Sequence, residues 1–357
     1  MNWTPEEENY LKVLLRQNKS LGQITKAFAD QLENRAYGFI YKRTKNSIRC
    51  KIARLTPEEI NTDHYEQRWT NIIDVAESYR LDSVHRDLGI TDHVSRKILT
   101  FSDLHIPFFL SEQMYDVLDQ HQDTDIIVLN GDILDGYIFS TFSKAKRIAA
   151  LKEYQAAYDL VHWLSDNFEN IIIVSGNHDS RSSKVLSRAG FEKEATQVFR
   201  PDLLSRIANG EQLDDLGNLL QKRDFDNVHY QLMDSWYVRV GKTIFAHPDG
   251  FASRFPGATA VKLYDHFSAA MHEDDFDSIV VGHTHKIYKG IYRGKLLIEQ
   301  GAMAHRLPYQ FRTDLRFKNA MNGYGIIYQD SDGNTDFNLS TPIYLGTHVP
   351  VKKEILK

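Results

Sequence analysis

The chain has 357 residues, 42% hydrophobic and 25% charged, which excludes a disordered protein and makes two domains the starting expectation. A single cysteine, Cys50, excludes internal disulfides and cysteine-rich zinc modules. Net charge is −5, but residues 1–55 hold 11 Lys and Arg against 5 Asp and Glu, so a head of net +6 precedes a body of net −11.

Such a basic head suggests a polyanion partner, with a merely solvated basic helix as the alternative. The chain opens Met1-Asn2-Trp3-Thr4-Pro5, without the basic start and apolar stretch of a signal peptide. No apolar run approaches the roughly 20 residues that span a bilayer. A soluble cytoplasmic protein with no membrane partner is therefore expected. Nothing in the sequence sets the oligomeric state.

Residues 3–55 predict three short helices. Thr4-Pro5-Glu6-Glu7 supplies a hydroxyl cap, a proline at the first helical position and acids in the first turn. Tyr10, Leu11, Leu14 and Leu15 follow at helical spacing. Ser20 can cap a second helix, with Ile24, Ala27 and Phe28 on one face. A third is expected from about Asn46 to Leu55, with Ile48, Ile52 and Leu55 inward. Arg49, Lys51 and Arg54 occupy its other positions, preceded by Lys42, Arg43 and Lys45. Cys50, with no metal partners, reads as a small packing residue.

Three stretches of this head resemble Myb/SANT-like helix-turn-helix modules: Trp3-Thr4-Pro5-Glu6-Glu7, Ser20-Leu21-Gly22-Gln23-Ile24 and Arg43-Thr44-Lys45-Asn46-Ser47-Ile48-Arg49. The resemblance implies a third helix in the major groove of DNA, basic side chains on phosphates and one or two reaching base edges. Arg43, Lys45, Arg49, Lys51 and Arg54 are then the candidate nucleic-acid contacts, and DNA is the expected partner. Some relatives bind protein instead.

Residues 56–96 read as a helical connector, since Thr56-Pro57-Glu58-Glu59 repeats the helix-start signal. From Lys97 apolar strands alternate with helices. Strands are expected at 98–101, 125–129, 171–174, 243–246, 278–281, 288–292, 295–299 and 324–328, with helices at 145–168 and 259–272. Residues 181–225 read as a polar, mostly helical insertion.

Five of these runs end in metal-ligand residue types: Ser102-Asp103-Leu104-His105, Asn130-Gly131-Asp132-Ile133-Leu134-Asp135, Ser175-Gly176-Asn177-His178-Asp179, Phe245-Ala246-His247-Pro248 and Val281-Gly282-His283-Thr284-His285. Each would emerge at the carboxyl edge of a sheet, where α/β folds place their sites. Two divalent cations about 3.5–4 Å apart need a bridging carboxylate with nitrogen and oxygen ligands around it; a hydroxide between them then becomes the nucleophile at neutral pH. With no sulfur in the set, Mn is the expected metal, with Fe or Zn as alternatives.

Residues 97 to about 345 resemble a calcineurin-like metallophosphoesterase, whose signature runs Asp-x-His, Gly-Asp-x-x-Asp, Gly-Asn-His-Asp/Glu, a lone His and Gly-His-x-His. The resemblance implies an α/β fold, a β-sandwich flanked by helices, attached here to a small all-α three-helix N-terminal domain. It implies one cation on Asp103, His105 and His285 and another on Asn177, His247 and His283, with Asp132 bridging. His178 would protonate the leaving oxygen or stabilise the transition state, while Asp135 and Asp179 would orient ligands or His178. Gly136-Tyr137 after the second aspartate, with Asp179 closing the third motif, argues against the Ser/Thr protein phosphatase branch.

The remaining histidines, His64, His85, His93, His121, His162, His229, His266, His272, His305 and His348, read as packing or surface side chains. Lys144, Lys146, Arg147 and Arg181 lie near the motifs, as phosphate holders or as solvated charges. The expected organisation is 1–55, 56–96 and 97–357. The expected activity is hydrolysis of phosphate esters, those of nucleic acid first, by a nuclease or DNA-end phosphatase. A small-molecule phosphatase or cyclic-nucleotide phosphodiesterase with a docking head stands beside it. So does a DNA-binding or interaction protein with a silent phosphoesterase domain.

Overall fold

A computed structural model of the chain describes residues 3–17, 19–39, 41–55, 87–88, 95–140, 148–188, 200, 202–230, 235–307 and 321–346, and the chain divides into two units, 1–82 and 83–357. The first unit contains α1 (Pro5–Arg16), α2 (Leu21–Glu33) and α3 (Lys45–Ile52). Thr4 with Glu7 and Ser20 with Gln23 form capping boxes, and Thr44 caps α3. Leu11, Leu14, Leu15, Ile24, Phe28 and Ile48 are buried together, with Trp3, Tyr10 and Phe39 packed on them. Each such side chain contributes roughly 1.5–3 kcal/mol. In so small a core, caps worth about 1 kcal/mol each are a comparable term.

Two expectations for the head are corrected. Arg43 is not offered to solvent: its guanidinium is buried against the Glu7 carboxylate and lies 4.6 Å from the centre of the Trp3 ring. A buried Glu7 needs a cation, and Arg43 is the residue that reaches it. Cys50 is exposed rather than packed. Lys51 pairs with Glu8, while Lys42, Lys45, Arg49 and Arg54 are exposed.

The second unit is built on two six-stranded sheets. In the first, β14 (Thr341–Gly346), β13 (Asn322–Gln329), β2 (Arg96–Phe101), β3 (Ile126–Asn130), β4 (Asn170–Val174) and β7 (Val228–His229) lie side by side, β2, β3, β4 and β7 parallel. In the second the order is β1 (Asp87–Leu88), β8 (Tyr237–Val240), β9 (Thr243–Ala246), β10 (Ser278–Val281), β12 (Lys295–Gln300) and β11 (Ile287–Tyr292), with β9, β10 and β12 parallel.

Period-two alternation divides each strand between two cores. Ile98, Val128, Ile172 and Val174 meet Val240, Phe245, Val280 and Ile298 between the sheets. On the outer face of the first sheet Leu99, Phe101, Ile127 and Leu129 pack on α4 (Ser111–Gln120) and α5 (Ala150–Asn167). On the outer face of the second, Ile244, Ile279 and Val281 pack on Ala260, Leu263 and Phe267 of α8 (Ala258–Ala270). This is a helix-flanked β-sandwich. Among the described residues no helix is long and apolar enough to cross a membrane.

The helical connector lies largely outside the described residues, but at Asp87–Leu88 the expectation is corrected, because this dipeptide is a strand paired with β8. Among the described residues, the 181–225 insertion is helical in α6 (Arg181–Arg188) and α7 (Leu203–Ala208). It ends in an antiparallel hairpin of β5 (Glu211–Leu213) and β6 (Leu219–Lys222). Nor is it merely added on, since Leu204, Ile207 and Leu213 enter the main core. Lys144, Lys146 and Arg147 lie outside the described residues, as do His64, His85, His93 and His348.

Candidate metal centre

Strand register assembles the site. Phe101 pairs with Leu129, Leu129 with Ile173, and Val281 with Ala246. The residues just beyond these pairs therefore leave both sheets at the same end. Among the described residues eight non-glycine residues have positive φ, and five are Asp103, His105, Asp132, His283 and His285. Backbone strain of this kind, of order 1–3 kcal/mol per residue, persists where the surroundings over-determine it and concentrates at functional sites. Two glycines make room: a Cβ on Gly131 would lie 2.2 Å from the His247 ring, and one on Gly176 would lie 2.1 Å from Asp132 Oδ1.

Each carboxylate has one oxygen tied and one turned inward. Asp103 Oδ2 accepts from the Ser102 hydroxyl and from the His283 backbone N–H at 2.9 Å. Asp132 Oδ1 accepts from the His178 N–H at 2.7 Å. Their other oxygens face imidazoles: Asp103 Oδ1 is 3.0 Å from His285 Nε2, and Asp132 Oδ2 is 3.3 Å from His247 Nε2. The rings are fixed from behind. His247 Nδ1 donates to the Asn130 carbonyl at 2.8 Å, and His105 Nδ1 lies 3.2 Å from Asp135 Oδ1, so their Nε2 atoms point to the centre. Asp103, His105 and His285 converge as one group and Asp132, His247 and His283 as another, donor atoms within 4.8 Å of one another.

His178 lies at the edge of the cluster, with Nδ1 3.1 Å from both the carbonyl and the carboxylate of Asp135 and Nε2 3.8 Å from Asp132 Oδ2. Among the described residues Asp179 makes no hydrogen bond to His178 or another histidine. It accepts from the backbone N–H groups of Gly176 at 2.7 Å and Leu134 at 2.8 Å, and so ties the second motif loop to the third. It would therefore orient the ligands through the loops that carry them rather than by a hydrogen bond to His178.

Burial works against the charged forms of Asp103 and Asp132. His285 and His247 nevertheless hold Asp103 well below the usual range, as His178 and His247 hold Asp132. Burial also resists protonation of His247, yet Asp132 and Asp103 push its pKa up to about 10. Two interior carboxylates thus call for positive charge between them. Burial, then the Asp132 charge, pushes Asp179 up to about 7. Burial, then His247, takes His283 down to about 4.

The sequence profile of the family described as calcineurin-like phosphoesterase matches residues 96–287. The chain belongs to this family. No curated protein matches the chain significantly. Among solved structures, Vacuolar Protein Sorting 29 from Cryptosporidium parvum is 14% identical, covers 71% of this chain and 100% of its own, and has a TM-score of 0.35. Wild-type Vps29 from Entamoeba histolytica complexed with zinc is 12% identical over 65% of this chain and 84% of its own, with a TM-score of 0.33. A predicted phosphoesterase from Streptococcus pneumoniae is 15% identical over 70% and 98%, with a TM-score of 0.26.

The calcineurin-like phosphoesterase fold implies divalent cations, and the residues here fit them. Asp103 Oδ1, His247 Nε2 and Asn177 Oδ1 are buried and accept no hydrogen bond, a costly state for polar atoms unless a cation completes them. His105 Nε2 and His285 Nε2 face each other at 3.2 Å, and the donors are nitrogen and oxygen throughout.

Two groups of this phosphoesterase carried no motif. Arg181 donates to the Asp135 carbonyl at 2.6 Å, and its second amino group lies 2.8 Å from His178 Nε2. Glu153, from the first turn of α5, accepts from Gly136 N–H at 2.5 Å and Tyr137 N–H at 3.3 Å just beyond Asp135. Only its position opposite that loop gives it a role, and sequence spacing cannot show this.

Burial, with Asp135 and Asp179 nearby, pushes Glu153 up to about 8 from an ordinary 4.5. A carboxyl raised on folding contributes fully below its unfolded pKa and loses that contribution as pH rises through the folded value. Stability should therefore fall between about pH 4.5 and 8, by several kcal/mol at most. Glu153→Gln stays neutral and should flatten that fall in urea titrations. A parallel fall in wild type and variant would assign it to other groups.

Proposed function

We propose that this phosphoesterase hydrolyses phosphodiester or terminal phosphate bonds of nucleic acid, with the head holding the polymer. The observation that carries the reading is α3. In a module folded on its own core and capped at all three helix starts, Lys45, Arg49 and Arg54, with Lys42, remain exposed on one short basic segment. A Myb/SANT-like docking of that helix on DNA accounts for this charge. The exposed and solitary Cys50 suits a reducing compartment, in keeping with a cytoplasmic enzyme.

In the body, Asp103, His105 and His285 would hold one cation and Asn177, His247 and His283 the other, with Asp132 between them and Mn the favoured metal. Two such cations neutralise phosphoryl oxygens and supply a nucleophile at neutral pH. The chain's own part is orientation and proton transfer. Asp135 fixes the His178 ring through Nδ1, so Nε2 would be the nitrogen that, in the imidazolium form, gives a proton to the departing oxygen. Arg181, beside that nitrogen, would turn to the phosphate when substrate enters.

A second reading, a small-molecule or cyclic-nucleotide phosphodiesterase with a docking head, draws support from Arg43 and Lys51, whose charges are already matched by Glu7 and Glu8. Neutralising Lys45, Arg49 and Arg54 together to Gln in the full chain separates the two. DNA affinity should drop, and the slope of log affinity against log salt should flatten by roughly one unit per lost phosphate contact. Fluorescence anisotropy of a labelled DNA over a salt series measures this. Equal affinities and slopes would move the docking reading ahead.

A further inference from the structure

Beside the Asn177 and His247 end of the cluster lies a cleft of about 550 Å³, in the size range of small-molecule sites. None of the metal motifs explains its remaining wall, which includes Trp236, Phe251, Lys184 and Lys262. Trp236 is held in place by Phe267, stacked at 5.5 Å and 16°, and by edge contacts with Tyr237 at 4.7 Å and His266 at 5.4 Å. A ring fixed in this way loses little freedom when a ligand settles on it. Phe251 is 39% exposed. The two cations differ. Lys184 is matched by Asp249 at 2.5 Å, whereas Lys262 rests 3.8 Å from the centre of the Phe251 ring and has no carboxylate partner among the described residues.

Planar apolar surface and an unmatched ammonium, next to a phosphoryl-transfer cluster, suit a ligand that is both flat and anionic. A sugar phosphate lacks the flat face, and an acyl chain lacks the charge. A nucleotide has both, since every base offers a π face to an aromatic side chain.

We infer that the cleft seats the nucleoside attached to the scissile phosphate, its base against Trp236 and Phe251 and an adjoining phosphate on Lys262. The inference rests on the nucleic-acid reading above and narrows it. A base in this cleft has left its stack, which costs a few kcal/mol in a duplex and least in a single strand. The substrate is accordingly an unpaired strand or end.

The test compares p-nitrophenyl thymidine 5′-phosphate with p-nitrophenyl methyl phosphate, using the full chain with Mn²⁺, and adds a single-stranded oligonucleotide. Wild type should favour the thymidine ester in kcat/KM by roughly 5- to 150-fold, the span of one stacked base. Trp236→Ala should bring the ratio near one, and Trp236→Phe should keep most of it. Phe251→Ala, at a more exposed position, should lower the ratio without disturbing the core and covers the case of a misfolded Trp236→Ala.

A wild-type ratio near one, or a ratio retained in Trp236→Ala and Phe251→Ala, overturns the inference. Cleavage of the oligonucleotide alongside that result leaves the nucleic-acid reading standing. An intact oligonucleotide with a high ester ratio does the reverse: the cleft is a nucleotide site and the polymer reading fails.

Discussion

Asp132→Asn should abolish hydrolysis of every phosphate ester tested while the fold persists. The isosteric amide keeps an oxygen for the His178 N–H, so the third motif loop stays anchored. It removes the charge that faces both groups of donors, since Asp132 Oδ2 lies 3.3 Å from His247 Nε2 and 3.9 Å from His105 Nε2. Electrostatic stabilisation by a cation pair is worth several kcal/mol, so a loss of roughly 10³-fold or more follows from one weakened cation. His283→Ala should do the same by removing a donor. Turnover of an aryl phosphodiester is to be read against metal content by elemental analysis. Near-wild-type turnover in either variant, stripped and reloaded with metal, would defeat the ligand assignment.

His178→Ala should bind metal normally and lose roughly 10²–10⁴ of kcat, the usual contribution of a positioned general acid. His178 is buried, its Nδ1 is fixed by Asp135, and its Nε2, beside Arg181 here, is the nitrogen that would face substrate once Arg181 turns to the phosphate. The loss should shrink for a p-nitrophenyl leaving group, which departs without a proton, and grow for an alkoxide. Equal losses across leaving groups would rule out proton donation and leave stabilisation of the transition state as the role of the ring.

Much of the fold was legible because buried parallel strands are short apolar runs, and such runs advertise themselves. The expected 243–246 and 278–281 coincide with β9 and β10, and β2, β3 and β4 differ by a residue or two at their ends. What escaped lacked local signals. The α4 helix has Leu110 at its N-cap position, which offers no side-chain cap, and Tyr237–Val240 interrupts its apolar run with Arg239. At the centre, glycines and strand ends pointed to the cluster. The left-handed backbone of its residues and the tying of one oxygen on each aspartate emerge only from tertiary packing. In the head the helix starts were readable from Thr4 and Ser20. The pairing of Arg43 with Glu7 was not, because the two are 36 positions apart and meet only when α1 meets the segment before α3.

The strand ends that carry the cluster belong to different sheets. Asp103, His105, Asp132 and Asn177 leave the sheet of β2, β3 and β4, whereas His247, His283 and His285 leave that of β9 and β10. Under the assignment proposed above, each cation draws ligands from both and acts as a rivet through one edge of the sandwich. By linkage, whatever cation binding adds to the cohesion of the sheets, cohesion of the sheets adds to cation binding. Apolar side chains such as Val128 and Val280, which never touch an ion, then set its affinity along with the histidines. A site of this construction can be tuned from the interior, one methyl group at a time, with no ligand altered.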